Sequence, residues 1–145
     1  MDIQLLGKHH IEMCSRLFMD TFSREPWNEQ YESDKEVIRY FIDFLSLDSC
    51  LGFVGLEDGR LIALCIGMRK PWLKGVEYYI DQFCIAPDYQ QKGIGSRFLA
   101  EIERRIADLG MKGILLNTEK SYPSFNFYRK NGFMEIEGLA VMGKE

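Results

Sequence analysis

The sequence is short of basic charge. Its 18 lysine and arginine residues are outnumbered by 22 aspartate and glutamate residues, which gives a net charge of −4 at neutral pH. Binding of nucleic acid without sequence preference needs a basic surface. We therefore expect no nucleic-acid partner. A mildly acidic chain is more compatible with a cationic small substrate.

The sequence also lacks the pattern of a metal site. None of its four cysteines forms a Cys-x-x-Cys pair, and neither histidine lies at metal-ligand spacing from a cysteine. The histidines, His9 and His10, stand at the predicted start of a helix, where we expect both to be solvated. Each cysteine lies in an apolar run, which predicts reduced core residues and no bound metal. These cysteines are Cys14, Cys50, Cys65 and Cys84.

Long hydrophobic runs are missing as well. No apolar stretch approaches the roughly 20 residues that cross a bilayer, and Met1–His10 does not show the apolar core and cleavage site of a signal peptide. We expect a cytoplasmic protein with no membrane partner. The 145 residues, 46% of them hydrophobic, suffice for one domain spanning 1–145 with its own core.

The hydrophobic periodicity predicts an α/β fold with a mixed, mostly antiparallel sheet flanked by helices. Ser33–Glu36 matches a capping box, and Asp58-Gly59 suits a hairpin turn. Helices are predicted at Lys8–Phe22, from Ser33 to Leu45, at Gly93–Leu109 and at Phe125–Lys130. Strands are predicted at Ile3–Leu6, Leu51–Glu57, Arg60–Met68, Val76–Ile85 and Lys112–Asn117, and in a closing hairpin of Phe133–Ile136 and Leu139–Met142.

A glycine-containing loop follows the predicted strand Val76–Ile85. It reads Gln-Gln-Lys-Gly-Ile-Gly and runs directly into a helix. The start of a helix exposes unpaired N–H groups and the positive end of the helix dipole. Gly93 and Gly95 allow a ligand to approach the backbone, and Lys92 and Arg97 add positive charge. This combination predicts a site for a phosphate or pyrophosphate.

Two other phosphate-binding motifs do not fit. A dinucleotide fingerprint needs a glycine where Phe98 stands, and a Walker loop needs Lys-Ser/Thr after its last glycine, where this chain has Ser96 and Arg97. A glycine pair at the start of a helix can also be ordinary turn chemistry. The surrounding sequence is needed to choose between a phosphate site and an ordinary turn.

The loop and a later segment together resemble the GNAT N-acetyltransferase superfamily. Gln-x-x-Gly-x-Gly after a strand and Pro87-Asp88-Tyr89 is similar to that family's coenzyme A loop, and Phe127–Phe133 (Phe-Tyr-Arg-Lys-Asn-Gly-Phe) is similar to its C-terminal motif. The resemblance covers Tyr78–Phe133, although Tyr122 and Phe125 stand where the family often has Asn and Ala. It implies the GNAT acyl-CoA acyltransferase fold.

The resemblance implies acetyl-coenzyme A as co-substrate and no metal. The pyrophosphate is expected on the loop, and the pantetheine arm and acetyl carbonyl along the preceding strand, where an N–H aimed at the carbonyl stabilises the oxyanion. The residues expected to bind the cofactor are Phe83, Cys84, Ile85, Gln90, Gln91, Lys92, Gly93, Ile94, Gly95, Ser96, Asn117 and Tyr128.

Two residues are candidates for proton transfer. Tyr128 matches the family's usual general acid, which returns a proton to the thiolate of coenzyme A. Asp81 is a candidate base, because an amine with a pKa of ~10.4 is almost fully protonated at pH 7 and must lose a proton to react. Strand alternation would place Tyr79, Asp81, Phe83 and Ile85 on one face.

The acceptor is expected to be a small cationic amine, such as an aminoglycoside or a polyamine. Ile80-Asp81-Gln82 resembles a strand of some aminoglycoside 6′-N-acetyltransferases. Substrate contacts are expected from Glu25, Trp27, Tyr31, Tyr79 and Asp81. Two alternatives stay open: an acetyltransferase acting on protein N-termini or lysines, and a non-catalytic acetyl-coenzyme A-binding module. The short segment after Phe133 is consistent with a truncated last strand or with the interface of a homodimer.

Overall fold

The computed structural model describes all 145 residues and contains one five-stranded sheet in the order β1-β2-β3-β4-β5. Neighbouring strands β1 to β4 are antiparallel, and β5 runs parallel to β4. The mixed, mostly antiparallel sheet predicted from the sequence is therefore confirmed. The strands are β1 (Asp2–Leu5), β2 (Cys50–Glu57), β3 (Arg60–Trp72), β4 (Gly75–Ile85) and β5 (Met111–Leu116).

Four α-helices and two short 3-10 turns complete the chain. Ser33 caps α2 as predicted, because its hydroxyl accepts a hydrogen bond from the Lys35 N–H at 3.2 Å. The capping box is altered: the Glu36 carboxylate accepts from the N–H of Glu32 instead of Ser33. The helices are α1 (Ile11–Phe22), α2 (Asp34–Leu45), α3 (Ile94–Asp108) and α4 (Pro123–Lys130), and the turns are Lys8–His10 and Pro87–Tyr89.

Helices cover both faces of the sheet. Consecutive side chains of a strand point to opposite faces. The ring of Phe83 packs against Phe98 of α3 with 5.6 Å between centroids, and the neighbouring Cys84 thiol lies beside Thr21 of α1. Helix α3 therefore covers one face and α1 the other, with α2 packed against α1.

Strand β4 contains a β-bulge that interrupts the alternation of side chains expected from the sequence. Ile80 pairs with Gly67 and Gln82 pairs with Ile66, so Asp81 has no partner in β3. The extra residue reverses the alternation beyond it. Asp81 consequently contacts α2, whereas Phe83 packs on α3. The prediction that both side chains share one face was wrong.

His10 is buried, contrary to the prediction that both histidines are solvated. His10 ends the 3-10 turn before α1, and the residue is 2% exposed. Its Nδ1 accepts a hydrogen bond from the Gly7 N–H at 3.0 Å. Burial, and secondarily the neighbouring His9, lower the pKa of His10.

The closing hairpin predicted after Phe133 was also wrong. No strand forms after Leu116, and the outer edge of β5 has no partner strand. Each half of the predicted hairpin is four residues long, and an isolated two-stranded hairpin is marginal without packing. Several apolar side chains of this C-terminal segment stay exposed: Met134, Ile136, Leu139, Val141 and Met142.

All four cysteines are free thiols, and three of them are buried, close to the expectation for core residues. None of the helices combines the length and the apolar character that crossing a membrane would need.

Candidate active site

The loop before α3 presents a row of unpaired backbone donors. The N–H groups of Gln91 to Ser96 donate to no acceptor in the protein; the first such bond in this region is from Arg97 to the Gly93 carbonyl at 3.1 Å. Gly93 has a φ of 77°, a left-handed conformation that suits glycine. Six free N–H groups at the positive end of a 15-residue helix form a suitable cradle for a diphosphate.

A cleft of about 510 Å³ extends from this loop between β4 and α4. Pairing of β4 with β5 stops at Ile80 and Leu116, so the edge of β4 beyond Ile80 has no partner in β5. We call this space the donor cleft. It is lined by nine of the expected cofactor residues: Phe83, Cys84, Ile85, Gln90, Gln91, Gly93, Gly95, Ser96 and Tyr128.

Three expected cofactor residues lie outside the donor cleft. The Ile94 side chain is buried in the core. The Lys92 ammonium lies over the ring of Tyr89, 5.7 Å from its centroid. The side-chain amide of Asn117 donates to the Tyr79 hydroxyl at 2.9 Å. Their part in cofactor binding stays a prediction.

Tyr128 stands where the donor cleft meets a second cleft. Its side chain is 8% exposed and packs against the rings of Phe83, Phe127 and Phe133. Its hydroxyl makes no hydrogen bond within the chain. Burial raises the pKa of Tyr128, so the phenol is protonated at neutral pH. It is therefore in the right state to donate a proton.

The second cleft, which we call the acceptor cleft, has a volume of about 230 Å³ and carries three carboxylates. Asp81 comes from β4, Glu29 from the loop between α1 and α2, and Glu119 from the segment after β5. Aromatic side chains form part of its wall, with Trp27 and Tyr122 in edge contact at 6.0 Å between centroids. Carboxylates and aromatic faces both attract cations.

The two clefts form one continuous region. Both are lined by Phe22, Trp27, Phe83, Ser124 and Tyr128. A group held at one end of the donor cleft would therefore lie next to a molecule in the acceptor cleft. This arrangement suits transfer of a group between two ligands.

Two of the five expected substrate residues line the acceptor cleft, and three do not. Asp81 and Trp27 line the acceptor cleft, but Glu25 and Tyr31 do not. Tyr31 acts on the cleft indirectly, because its hydroxyl donates to Glu29 at 2.6 Å. Tyr79 lines a neighbouring cavity beside the C-terminal segment. Their roles as substrate contacts stay predictions.

Sequence reasoning did not find the other members of the acceptor cleft. Glu29 and Glu119 are about 90 residues apart, and nothing in their local sequence distinguishes them from surface carboxylates. Tyr122 was noted only as a departure from the family pattern. Its place opposite Trp27 depends on how the chain folds back after β5, which periodicity does not reveal.

Comparison with known proteins identifies the family of this chain. The acetyltransferase (GNAT) family matches residues 11–133. The chain belongs to this family of N-acetyltransferases, whose donor is acetyl-coenzyme A. The free N–H row and the donor cleft fit that donor, because its diphosphate and its long arm need an anion cradle continuous with a groove. No curated protein matches the sequence.

Solved structures share the fold at low identity. The aminoglycoside acetyltransferase AAC(6′)-Iy, bound to a bisubstrate analogue, superposes with a TM-score of 0.77 at 19% identity, covering 99% of this chain and 97% of that chain. AAC(6′)-IG from Acinetobacter haemolyticus superposes with a TM-score of 0.77 at 13% identity, covering 100% of this chain and 99% of that chain. A GNAT acetyltransferase from Staphylococcus aureus gives 0.74 at 17%, covering 99% and 97%.

Proposed function

We propose that the enzyme acetylates a primary amine on a small cationic molecule, of the aminoglycoside or polyamine type. The observation that carries the proposal is the acceptor cleft, where Asp81, Glu29 and Glu119 converge beside Trp27. A molecule with several ammonium groups would match these carboxylates. The structural relatives agree, since one is an aminoglycoside acetyltransferase crystallised with sisomicin.

The chain's own residues supply the steps around the transfer. Acetyl-coenzyme A supplies the thioester carbon, to which the amine nitrogen bonds as the carbon–sulfur bond breaks. Asp81 binds the ammonium and accepts its proton, directly or through water. Tyr128 donates its phenolic proton to the departing sulfur, and the second proton that the nitrogen loses as the amide forms restores the phenol. The free N–H groups of Gln91–Ser96 hold the diphosphate, and the β4 edge at Phe83–Ile85 orients the arm.

A panel of acceptors tests the proposal. Purified enzyme with acetyl-coenzyme A is offered an aminoglycoside, a polyamine, a peptide with a free N-terminus and a peptide with an internal lysine, and released thiol is measured. We expect turnover with the aminoglycoside or the polyamine. Preference for either peptide would favour protein acetylation instead. Binding of acetyl-coenzyme A without turnover of any acceptor would favour a non-catalytic module.

We also propose that the enzyme works in the cytoplasm. All four of its cysteines are free thiols, and thiols stay reduced in that compartment. A homodimer is a further proposal. It is supported by the unpaired edge of β5 and the exposed apolar side chains after Phe133. Light scattering across a range of protein concentrations would measure the assembled mass.

A further inference from the structure

Tyr40 contacts Asp81, the proposed acceptor-binding carboxylate, without lining the acceptor cleft itself. Tyr40 lies on α2, and its hydroxyl donates a hydrogen bond to Oδ2 of Asp81. Asp81 lines the acceptor cleft, whereas Tyr40 lines neither cleft. Tyr40 can therefore influence a bound amine only through Asp81.

Three phenylalanines fix the ring of Tyr40. Phe18 of α1 lies 6.1 Å from it between ring centroids, and Phe41 and Phe44 of α2 lie 5.1 Å and 5.8 Å away. Burial, and then the bond to Asp81, raise the pKa of Tyr40, which keeps the phenol protonated as a donor. The hydroxyl is thus held in place by packing that does not involve Asp81.

Asp81 has unusual need of such an anchor. It is the extra residue of the bulge and has no partner in β3, and pairing of β4 with β5 ends one residue earlier at Ile80. Asp81 therefore has no paired residue in either neighbouring strand. The bond from Tyr40 is the only side-chain hydrogen bond to its carboxylate.

We propose that Tyr40 is a positioning residue for acceptor chemistry: its hydroxyl holds Oδ2 of Asp81, so that Oδ1 is presented to the amine in the acceptor cleft. The proposal rests on the role of Asp81 given under the proposed function. It gives α2 an indirect part in how the acceptor is held, because Tyr40 lines neither cleft and acts through Asp81. A purely structural Tyr40 would only tie α2 to β4.

Tyr40→Phe separates these two roles, because it removes the hydroxyl and keeps the ring among its phenylalanine neighbours. We expect kcat/KM for the amine to fall about tenfold, the scale of one hydrogen bond to a charged group. The KM for acetyl-coenzyme A should stay within about twofold, since Tyr40 does not reach the donor cleft.

Tyr78→Phe is the matched control. Its buried hydroxyl donates to the Leu51 carbonyl at 2.6 Å, away from Asp81, so its loss should lower the melting temperature and leave kcat/KM unchanged.

A double-mutant cycle identifies the route of the effect. If Tyr40 acts through Asp81, Tyr40→Phe should cause no further loss in the Asp81→Asn background. Equal loss in both backgrounds, or full kcat/KM in Tyr40→Phe when Asp81→Asn is defective, would overturn the positioning role alone. Full activity of Asp81→Asn would overturn the proposed role of Asp81, and the role of Tyr40 with it.

Discussion

Gly95 and Phe127 are in such close contact that a methyl group at position 95 would press against the phenylalanine ring. A Cβ atom at position 95 would stand 3.0 Å from Cε1 and 3.2 Å from Cζ of the Phe127 ring. Gly95 lies in the first turn of α3, and Phe127 lies in α4 immediately before Tyr128. The glycine was expected to admit the cofactor. The structure shows that it also makes room for the ring of Phe127 beside α3.

Gly95→Ala should therefore disturb α4 and with it Tyr128. We expect a loss of about 1–3 kcal/mol of stability from overpacking, together with reduced turnover because the phenol is displaced. Thermal unfolding and steady-state kinetics measure the two effects. Gly113→Ala, in β5, is the control, because a Cβ there meets no atom within 4 Å. An alanine at position 95 with unchanged stability would contradict the close packing.

Gly93→Asp should abolish binding of acetyl-coenzyme A, because it brings a negative charge to the row of free N–H groups. In the wild-type protein the ligand should add about 2.7 kcal/mol of stability at a hundredfold excess over its Kd. Gly110→Asp is the control. Gly110 follows the other end of α3 and has a φ of 88° against 77° for Gly93, so both variants carry similar backbone strain. A retained melting shift in Gly93→Asp would show that the diphosphate binds elsewhere.

Tyr128→Phe should lower turnover by roughly 10²–10⁴-fold, the usual contribution of a general acid. The ring contacts with Phe83, Phe127 and Phe133 are kept. Because the hydroxyl makes no hydrogen bond within the chain, its removal should cost little stability. Isothermal titration should give an unchanged Kd for acetyl-coenzyme A. Wild-type turnover would mean that water or another group protonates the sulfur.

Asp81→Asn should reduce acetylation roughly 10²-fold or more at pH 7, because it removes the charge and the basic site. Higher pH supplies neutral amine directly from solution, so the defect should shrink toward pH 9–10, near the amine pKa of ~10.4. A rate profile across this pH range measures the recovery. Wild-type rates at every pH would leave Asp81 a structural role and weaken the case for a cationic acceptor.

Buried His10 should make the protein less stable in mild acid. Its pKa is lowered in the folded state, so the unfolded chain binds a proton first as the pH falls below the ordinary value of about 6.5. Protonation would also remove the acceptor for the Gly7 N–H. Denaturant unfolding at pH 7.5 and pH 5 should therefore show less loss of stability in His10→Gln than in the wild type. His9→Gln should keep most of the wild-type pH dependence, because burial is the larger cause of the lowered pKa of His10.

Local patterns were enough to predict much of the fold. The turn at Asp58-Gly59 and the capping serine of α2 are short-range features, and both are present. The loop before α3 is also local. Its sequence therefore predicted the row of free donors without knowledge of the rest of the chain.

The features that sequence did not predict depend on distant parts of the chain. A bulge is defined only against the partner strand, so the reversal at Asp81 could not be seen in the alternation of β4 alone. Tyr40 lies 41 residues from its partner Asp81. The C-terminal hairpin failed for the opposite reason. Its local pattern was suitable, but no neighbouring surface covers its apolar side chains.

The row of free N–H groups has a consequence for how such a protein diverges. Because the row of N–H groups belongs to the main chain, the side chains of Lys92 and Ser96 are free to change so long as the backbone keeps its course. Replacement is restricted at Gln91 and Gly93, whose φ values are 60° and 77°, and at Gly95, which contacts Phe127. The acceptor cleft is lined by side chains, so an exchange of Glu29, Glu119 or Tyr122 would alter its charge or shape. One half of the active site can thus stay constant through long sequence divergence while the other half acquires new acceptors.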